Sequence, residues 1–269
     1  MDKAVIMARG LGTRMRATNP QAKLDAQQSA VASTGIKALI PIGRPFLDYA
    51  LGALAEAGYR RICLVIGPEH DALRNYCAQE LDCRRLKIEF AVQHEPRGTA
   101  DAVLAAEEFA AGEEFAVVNS DNYYPVSALS SLRALEGPGL AVFARDSMIA
   151  EGNIPAERIL KFALAEADAD GVLQRIVEKP DDATVETLRG PLGVSMNCWR
   201  FDARIFAACR AIGPSARGEF ELPDAVQYAI DHLGVRFAMR ICQAAVLDLS
   251  NQGDVESVAR LLGDVEVAL

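Results

Sequence analysis

Histidine occurs only three times in 269 residues and tryptophan once, and the six cysteines (Cys63, Cys77, Cys83, Cys198, Cys209 and Cys242) include no Cys-x-x-Cys pair. That scatter excludes a disulfide framework and a zinc site of paired ligands, so the thiols read as core residues in a reducing compartment. Positive charge is also short. Lys and Arg total 28 against 37 Asp and Glu, a formal net charge of -9, which argues against nonspecific binding to nucleic acid or an anionic membrane. No run approaches the ~18 apolar residues of a membrane span, and Met1-Asp2-Lys3 leads into a strand-length apolar run rather than a signal peptide. A cytoplasmic protein with no nucleic-acid and no membrane partner is expected. Apolar residues, by contrast, are plentiful at 51%. They suffice for a large core, and a single domain is the default for an α/β chain of this length.

The chain is organised around Ala4 to Arg16, an apolar strand that breaks into Gly10 and Gly12 and is followed by Arg14 and Arg16. Glycine there lets backbone N–H groups turn toward an anion, and the arginines add forked donors suited to phosphate. The same residues also serve a plain strand-to-helix turn. Asn19 to Gly35 is small and polar, a loop or short helix beside that site. Pro45 to Gly58 has helical periodicity, Arg61 to Ile66 reads as a buried strand, Glu69 to Gln79 as helix and Lys87 to Val92 as strand. Strands alternating with helices predict a parallel sheet with right-handed crossovers. Gln93 precedes Gly98-Thr99 and a helix over Asp101 to Phe109. Its amide offers both a donor and an acceptor to a nucleobase edge, and Gly98 allows a flat ring to approach. The strand from Glu114 ends at Ser120-Asp121-Asn122, which places a carboxylate at the strand end that faces ligands in α/β proteins. Strands are further expected over Leu140 to Ala144 and Gly171 to Lys179. Between them Asp168-Ala169-Asp170 matches a metal-binding Asp-x-Asp, but Gly171 and the flanking strands make it hairpin-turn chemistry.

Gly10-Leu11-Gly12-Thr13-Arg14-Met15 resembles the signature loop of the sugar-1-phosphate nucleotidyltransferases, and further pieces follow in order over most of the chain. Gly35 to Tyr49 is similar to the family's Pro-Lys-x-Leu-x-Pro-x-x-x-x-Pro, with Ile36 in place of the first proline. Gln93 to Ala100 is similar to its Gln-x-x-Pro-x-Gly-Thr-Ala, Ser120-Asp121 to its Gly-Asp, Glu178-Lys179-Pro180 to its Glu-Lys-Pro, and Val246 to Gly253 to its Trp-x-Asp-x-Gly segment.

The resemblance implies an α/β fold: a three-layer, Rossmann-like, mixed but mostly parallel sheet, as one domain with a nucleotide half (about 1–135) and a sugar-phosphate half (about 136–269). It implies that a nucleoside triphosphate and a sugar-1-phosphate are joined with release of pyrophosphate. Ala8, Gly10, Gly12, Thr13, Gln93, Gly98 and Thr99 would bind nucleotide. Arg14 and Lys37 would act at the phosphates, with Lys23 the rival for Lys37. Asp121 and Asp248 would hold Mg²⁺. Glu178, Lys179 and Asn197 would hold the sugar phosphate, with Trp199 beside them and Glu221 a further contact. Arg9, Ser120 and Ser250 depart from the family's pattern, which keeps open a nucleotide-binding regulatory module without turnover; a glycosyltransferase using Asp168 and Asp170 is the other alternative. No hexapeptide-repeat tail follows Leu269, so a stand-alone catalytic unit is expected, with homo-oligomers possible. The residues name neither base nor sugar.

Overall fold

The computed structural model describes residues 1–159 and 161–269. Four apolar runs form its parallel half: β1 (Lys3–Met7), β2 (Arg61–Ile66), β3 (Lys87–Val92) and β4 (Phe115–Asn119), side by side as β3-β2-β1-β4. Met7 lies opposite both Val65 and Asn119, so the C-terminal ends of the central strands finish level and the loops leaving them meet. The other half comprises β5 (Gly139–Phe143), β6 (Ala163–Ala167), β7 (Leu173–Val177), β8 (Leu192–Phe201) and β9 (Ala238–Cys242). The ten-residue β8 joins the halves. Its start pairs with β6 and its last three residues with β4, while β5 lies along its other edge and carries β9. Only β7 and β8 run against the other seven strands of the nine-stranded sheet. This is the expected mixed, mostly parallel α/β sheet.

Separate apolar clusters cover the two sheet faces, one including Leu51, Leu64 and Phe143, the other Val103, Trp199 and Phe237. Fully burying side chains of this size contributes about 1.5–3 kcal/mol each. A third cluster packs Met15, Ile40 and Phe46 against Leu249, Val258 and Leu262. It ties the Gly loop's helix to the last helix, Val255–Leu262.

Several element boundaries differ from expectation for local reasons. The helix expected from Pro45 is Phe46–Glu56, with Pro45 outside it as N-cap. That expected over Glu69 to Gln79 is Asp71–Asn75 continued by a wider turn, Tyr76–Glu80. The one expected from Asp101 starts earlier, as Thr99–Ala105, and breaks at Ala106 before Glu107–Ala110. Asn19 to Gly35 contains a regular helix, Ala26–Thr34, because Asp25 and Gln28 form a reciprocal capping box. The strand expected over Gly171 to Lys179 shrinks to β7 because Asp168 Oδ1 accepts from the N–H of Asp170 (3.0 Å) and of Val172 (2.9 Å), closing the β6–β7 hairpin.

Candidate active site

A cleft of about 450 Å³ opens where β1 and β4 end. From β1 the chain runs through Ala8, Arg9 and Gly10 to Gly12, the N-cap of the helical turn Thr13–Arg16. Gly12 has φ +61°, and a Cβ there would sit 2.1 Å from the Gly35 carbonyl oxygen, so both conformation and contact demand glycine. Gly10 faces open space instead. Among the described residues, the N–H groups of Gly10, Leu11 and Gly12 donate to no protein acceptor, which leaves a row of donors of the kind that binds anions. Ala8, Thr13 and Arg14 share this wall of the cleft. Arg16 does not, since its guanidinium turns back to the Leu11 carbonyl.

Arg9 is buried beneath the loop, its Nε donating to the Gln93 carbonyl (3.1 Å) and its Nη1 2.7 Å from Glu69. Arg9, one of the departures from the family's pattern, therefore props the loop from below. Its neighbour His70, 7% exposed, accepts the Gly67 N–H at Nδ1 (3.3 Å). Burial holds the imidazole below its ordinary 6.5, with Arg9 and Arg16 adding to the effect against Glu69. A depressed folded value means that the unfolded chain binds the proton more readily, so stability present above 6.5 is lost as pH falls below it. Urea midpoints from pH 8 to 5.5 should therefore fall more steeply for the wild type than for His70→Gln; parallel curves would remove His70 from the account.

Also lining the cleft, Lys37 opens the short 3-10 turn Lys37–Leu39 and points Nζ at Asp121 Oδ2, 2.8 Å away, with side chains 14% and 25% exposed. Lys23 lies outside the cleft, 80% exposed and 3.8 Å from Glu256. Ser120 continues from β4 by donating its N–H to the Met7 carbonyl (3.1 Å). Asp248 reaches Asp121's neighbourhood because Leu247–Asp248 pairs antiparallel with Asn122–Tyr123. It is 3% exposed, not on the cleft wall itself, and is gripped by Arg158 Nη2 (2.6 Å) and Asn122 Nδ2 (3.0 Å). Burial first and the Asp121 charge second push its carboxyl up to about 6, against the pull of Arg158. Arg158 also holds Asp254 (2.9 Å), which accepts the backbone N–H of Ser250, while the Ser250 hydroxyl hydrogen-bonds the Asp248 carboxylate. A chain of side-chain hydrogen bonds reaches Asp248 from the far side: Trp199 Nε1 to Asn197 (3.2 Å), Asn197 to Asn119 (3.4 Å), Asn119 to Asn122 (2.8 Å), then Asn122 to Asp248.

This donor set suits Mg²⁺. Burial and the Asp121 charge raise the cost of ionising Asp248, a cost that a divalent cation would relieve. Mg²⁺ needs only one or two protein carboxylates when substrate phosphates complete its shell. Among the described residues no cluster of three or more metal-binding side chains exists that would suit zinc.

Gln93 directly follows β3, at 4% exposure. Its Nε2 donates to the Gly98 carbonyl (3.1 Å) and to Asp101 Oδ2 (2.8 Å). Gly98 (φ +119°) is needed for a contact the sequence did not suggest: a Cβ would meet the Phe220 backbone at 2.5 Å. Thr99 accepts the Leu222 N–H at Oγ1 (2.8 Å), and Gly98 is the helix N-cap.

Of the residues assigned to a sugar phosphate, Asn197 lines the cleft, placed there by a break in the β8–β5 register and a φ of +56°. Glu178 and Lys179 do not line it. They sit after β7, linked to it through Arg217, which lies 3.7 Å from Glu178 and pairs closely with Glu221 two residues beyond the cleft residue Glu219. Burial raises the Glu178 carboxyl above its usual range, against the pull of Lys179 3.8 Å away. Sequence reasoning missed Arg217, Arg158 and Asp101. Asp168 and Asp170 lie off the cleft, with Asp168 spent on its turn and on Gln174.

A sequence profile of the nucleotidyl transferase family matches residues 3–244. The chain is 30% identical over 264 residues to a glucose-1-phosphate thymidylyltransferase of Streptomyces griseus, covering 97% of this chain and 66% of that protein. It is 27% identical over 242 residues to a low-salt glycan biosynthesis nucleotidyltransferase of Haloferax volcanii, covering 85% of this chain and 59% of that one. The chain thus spans under two thirds of either relative. A UDP-glucose pyrophosphorylase structure complexed with UDP-glucose superposes with a TM-score of 0.75 at 19% identity, covering 99% of this chain and all of that one, a likeness of fold. No helix of the described residues is long and apolar enough to cross a membrane.

Proposed function

The chain belongs to the nucleotidyl transferase family, and from that premise we propose that it joins a nucleoside triphosphate to a sugar-1-phosphate, giving a nucleotide-sugar and pyrophosphate. The observation that carries this is that the Lys37–Asp121 pair and the Gly-loop N–H groups, which have no protein acceptor among the described residues, line one cleft. Cationic, anionic and backbone-donor groups converge there as the meeting of two phosphates requires. An oxygen of the sugar phosphate attacks the α-phosphorus, a new P–O bond forms, and the α–β bridge breaks with its electron pair leaving on pyrophosphate. Such transfer needs alignment and charge neutralisation rather than a covalent nucleophile.

In this reading Gly10, Gly12 and Thr13 bind the triphosphate and Arg14 and Lys37 stabilise the α-phosphate and the leaving group. Gln93, Gly98 and Thr99 seat the base. Asn197 orients the sugar, and Glu178 and Lys179, steered by Arg217, take its hydroxyls and phosphate. Asp121 and Asp248 would hold Mg²⁺, which when bound supplies charge neutralisation at the phosphates. The test is pyrophosphate release from each common nucleoside triphosphate against a panel of sugar-1-phosphates that includes glucose-1-phosphate. Release that requires both substrates is expected; triphosphate binding without release in any pairing would overturn the reading in favour of a binding module.

A further inference from the structure

Asp101 is absent from the chemistry above, yet it touches the residue that seats the base. Its Oδ2 accepts from Gln93 Nε2 at 2.8 Å while its Oδ1 accepts from Arg97 Nη2 at 2.8 Å, and its side chain is 14% exposed. The second amide hydrogen of Gln93 goes to the Gly98 carbonyl at 3.1 Å. A carboxylate and a carbonyl only accept, so the end of the amide that faces both must be nitrogen. The flipped amide would set oxygen against oxygen at both contacts. Both Gln93 hydrogens are thereby consumed by the protein, and Oε1 is left without a protein donor among the described residues, on a residue that lines the cleft. A free glutamine serves either a donor or an acceptor; this one has been made an acceptor.

We infer that Asp101 is a positioning residue that locks the Gln93 amide and so makes the cleft select a pyrimidine carrying N3–H, uracil or thymine, over cytosine. This rests on the reading that the cleft holds a nucleoside triphosphate. With N3 seated against Oε1, uracil and thymine donate a hydrogen bond. Cytosine in the same seat brings an unprotonated ring nitrogen, so two lone pairs face each other in a partly desolvated site. A buried acceptor left unsatisfied in this way reduces affinity about 10- to 100-fold.

The experiment is calorimetric binding of UTP, dTTP, CTP and 3-methyluridine triphosphate to wild type, Asp101→Ala and Asp101→Asn, without sugar phosphate, with melting curves confirming that each variant is folded. Wild type should bind UTP and dTTP about 10- to 100-fold more tightly than CTP and the N3-methylated analogue. In Asp101→Ala one amide hydrogen is released and the ratio of UTP to CTP affinity should collapse to within about threefold. Asp101→Asn keeps an acceptor oxygen for Gln93 and should preserve the ratio although the Arg97 ion pair is lost, an outcome that a merely structural role for the carboxylate would not give. CTP binding as tightly as UTP, or an unchanged ratio in Asp101→Ala, would overturn the inference. Should Asp101→Ala fail to fold, the wild-type comparison of UTP with its N3-methyl analogue decides alone. Equal binding of UTP and CTP alongside intact pyrophosphate release refutes only this inference, whereas no binding of any triphosphate refutes the underlying reading with it.

Discussion

Replacing Lys37 by alanine should cut pyrophosphate release about 10²- to 10³-fold while leaving triphosphate affinity within about tenfold. The asymmetry follows from the geometry. Triphosphate binding is shared among the Gly-loop donors, Arg14 and the base seat, so one cation contributes a fraction of it. The transfer step brings two phosphate anions together, and Lys37 Nζ is the ammonium held at that wall, 2.8 Å from Asp121 and only 14% exposed. A preorganised charge in a partly desolvated site acts most on charge that develops during the reaction. Its loss also leaves Asp121 facing the Asp248 charge without its counterion. Steady-state release measured beside calorimetric binding separates the two effects, and a drop of less than about threefold in turnover would show that Lys37 is not at the reacting phosphates.

The second large effect is on stability and comes from a residue with no assigned chemistry. Arg158 bridges Asp248 (2.6 Å) and Asp254 (2.9 Å), whose side chains are 4% and 8% exposed. Arg158→Ala strands both carboxylates in a dry environment, and breaking a buried pair from one side costs about 3–5 kcal/mol. For a chain of this size that lowers Tm by roughly 5–9 °C. The loss should shrink as pH falls toward 5.5. Asp248, already pushed up to about 6, titrates higher still without the guanidinium, and a raised folded value means that protonation favours the folded state as pH drops through it. Arg158→Met combined with Asp248→Asn should lose less than Arg158→Ala alone, because donor and acceptor charges leave together. Differential scanning calorimetry at pH 8 and 5.5 checks both statements; a pH-independent loss would place the cost in packing.

How much of this was legible in the sequence varies by element. Arg61 to Ile66 and Lys87 to Val92 emerged with the expected bounds because an uninterrupted β-branched or alternating apolar run between turn residues has one economical placement. Helix Ala26–Thr34 was ambiguous because its stabilisation comes from the Asp25–Gln28 cap and the Gly35–Gly12 contact, not from periodicity. Lys37 and Asp121 were found by motif and meet across 84 positions of sequence. Arg158 had no signal: Pro155-Ala-Glu-Arg158 reads as an ordinary helix start, and its partners lie 90 and 96 positions away, Asp248 on a two-residue strand too short to predict and Asp254 in the 3-10 turn that follows. Asp101 was visible only as a first-turn acid, because the amide it orients lies in the preceding loop. Glu178 and Lys179 were legible as a motif, but their offset from the main cleft depends on Arg217 and on the loop that carries it.

The seat of Gly98 against Phe220 bears on how parts may be exchanged among relatives. Phe220 N–H donates to the Arg97 carbonyl (2.8 Å), Ala100 N–H returns to the Phe220 carbonyl (2.9 Å), and Leu222 N–H reaches Thr99 Oγ1 (2.8 Å). The stretch that presents the amide to the base and the stretch that carries Arg217 and Glu221 are thus laced together, main chain to main chain, though more than 110 positions apart. Neither can be transplanted singly. A graft of residues 93–101 from a relative would meet a host loop cut for a different partner, and only a chimera that moves 93–101 and 213–222 as one cassette would carry its donor's preference intact.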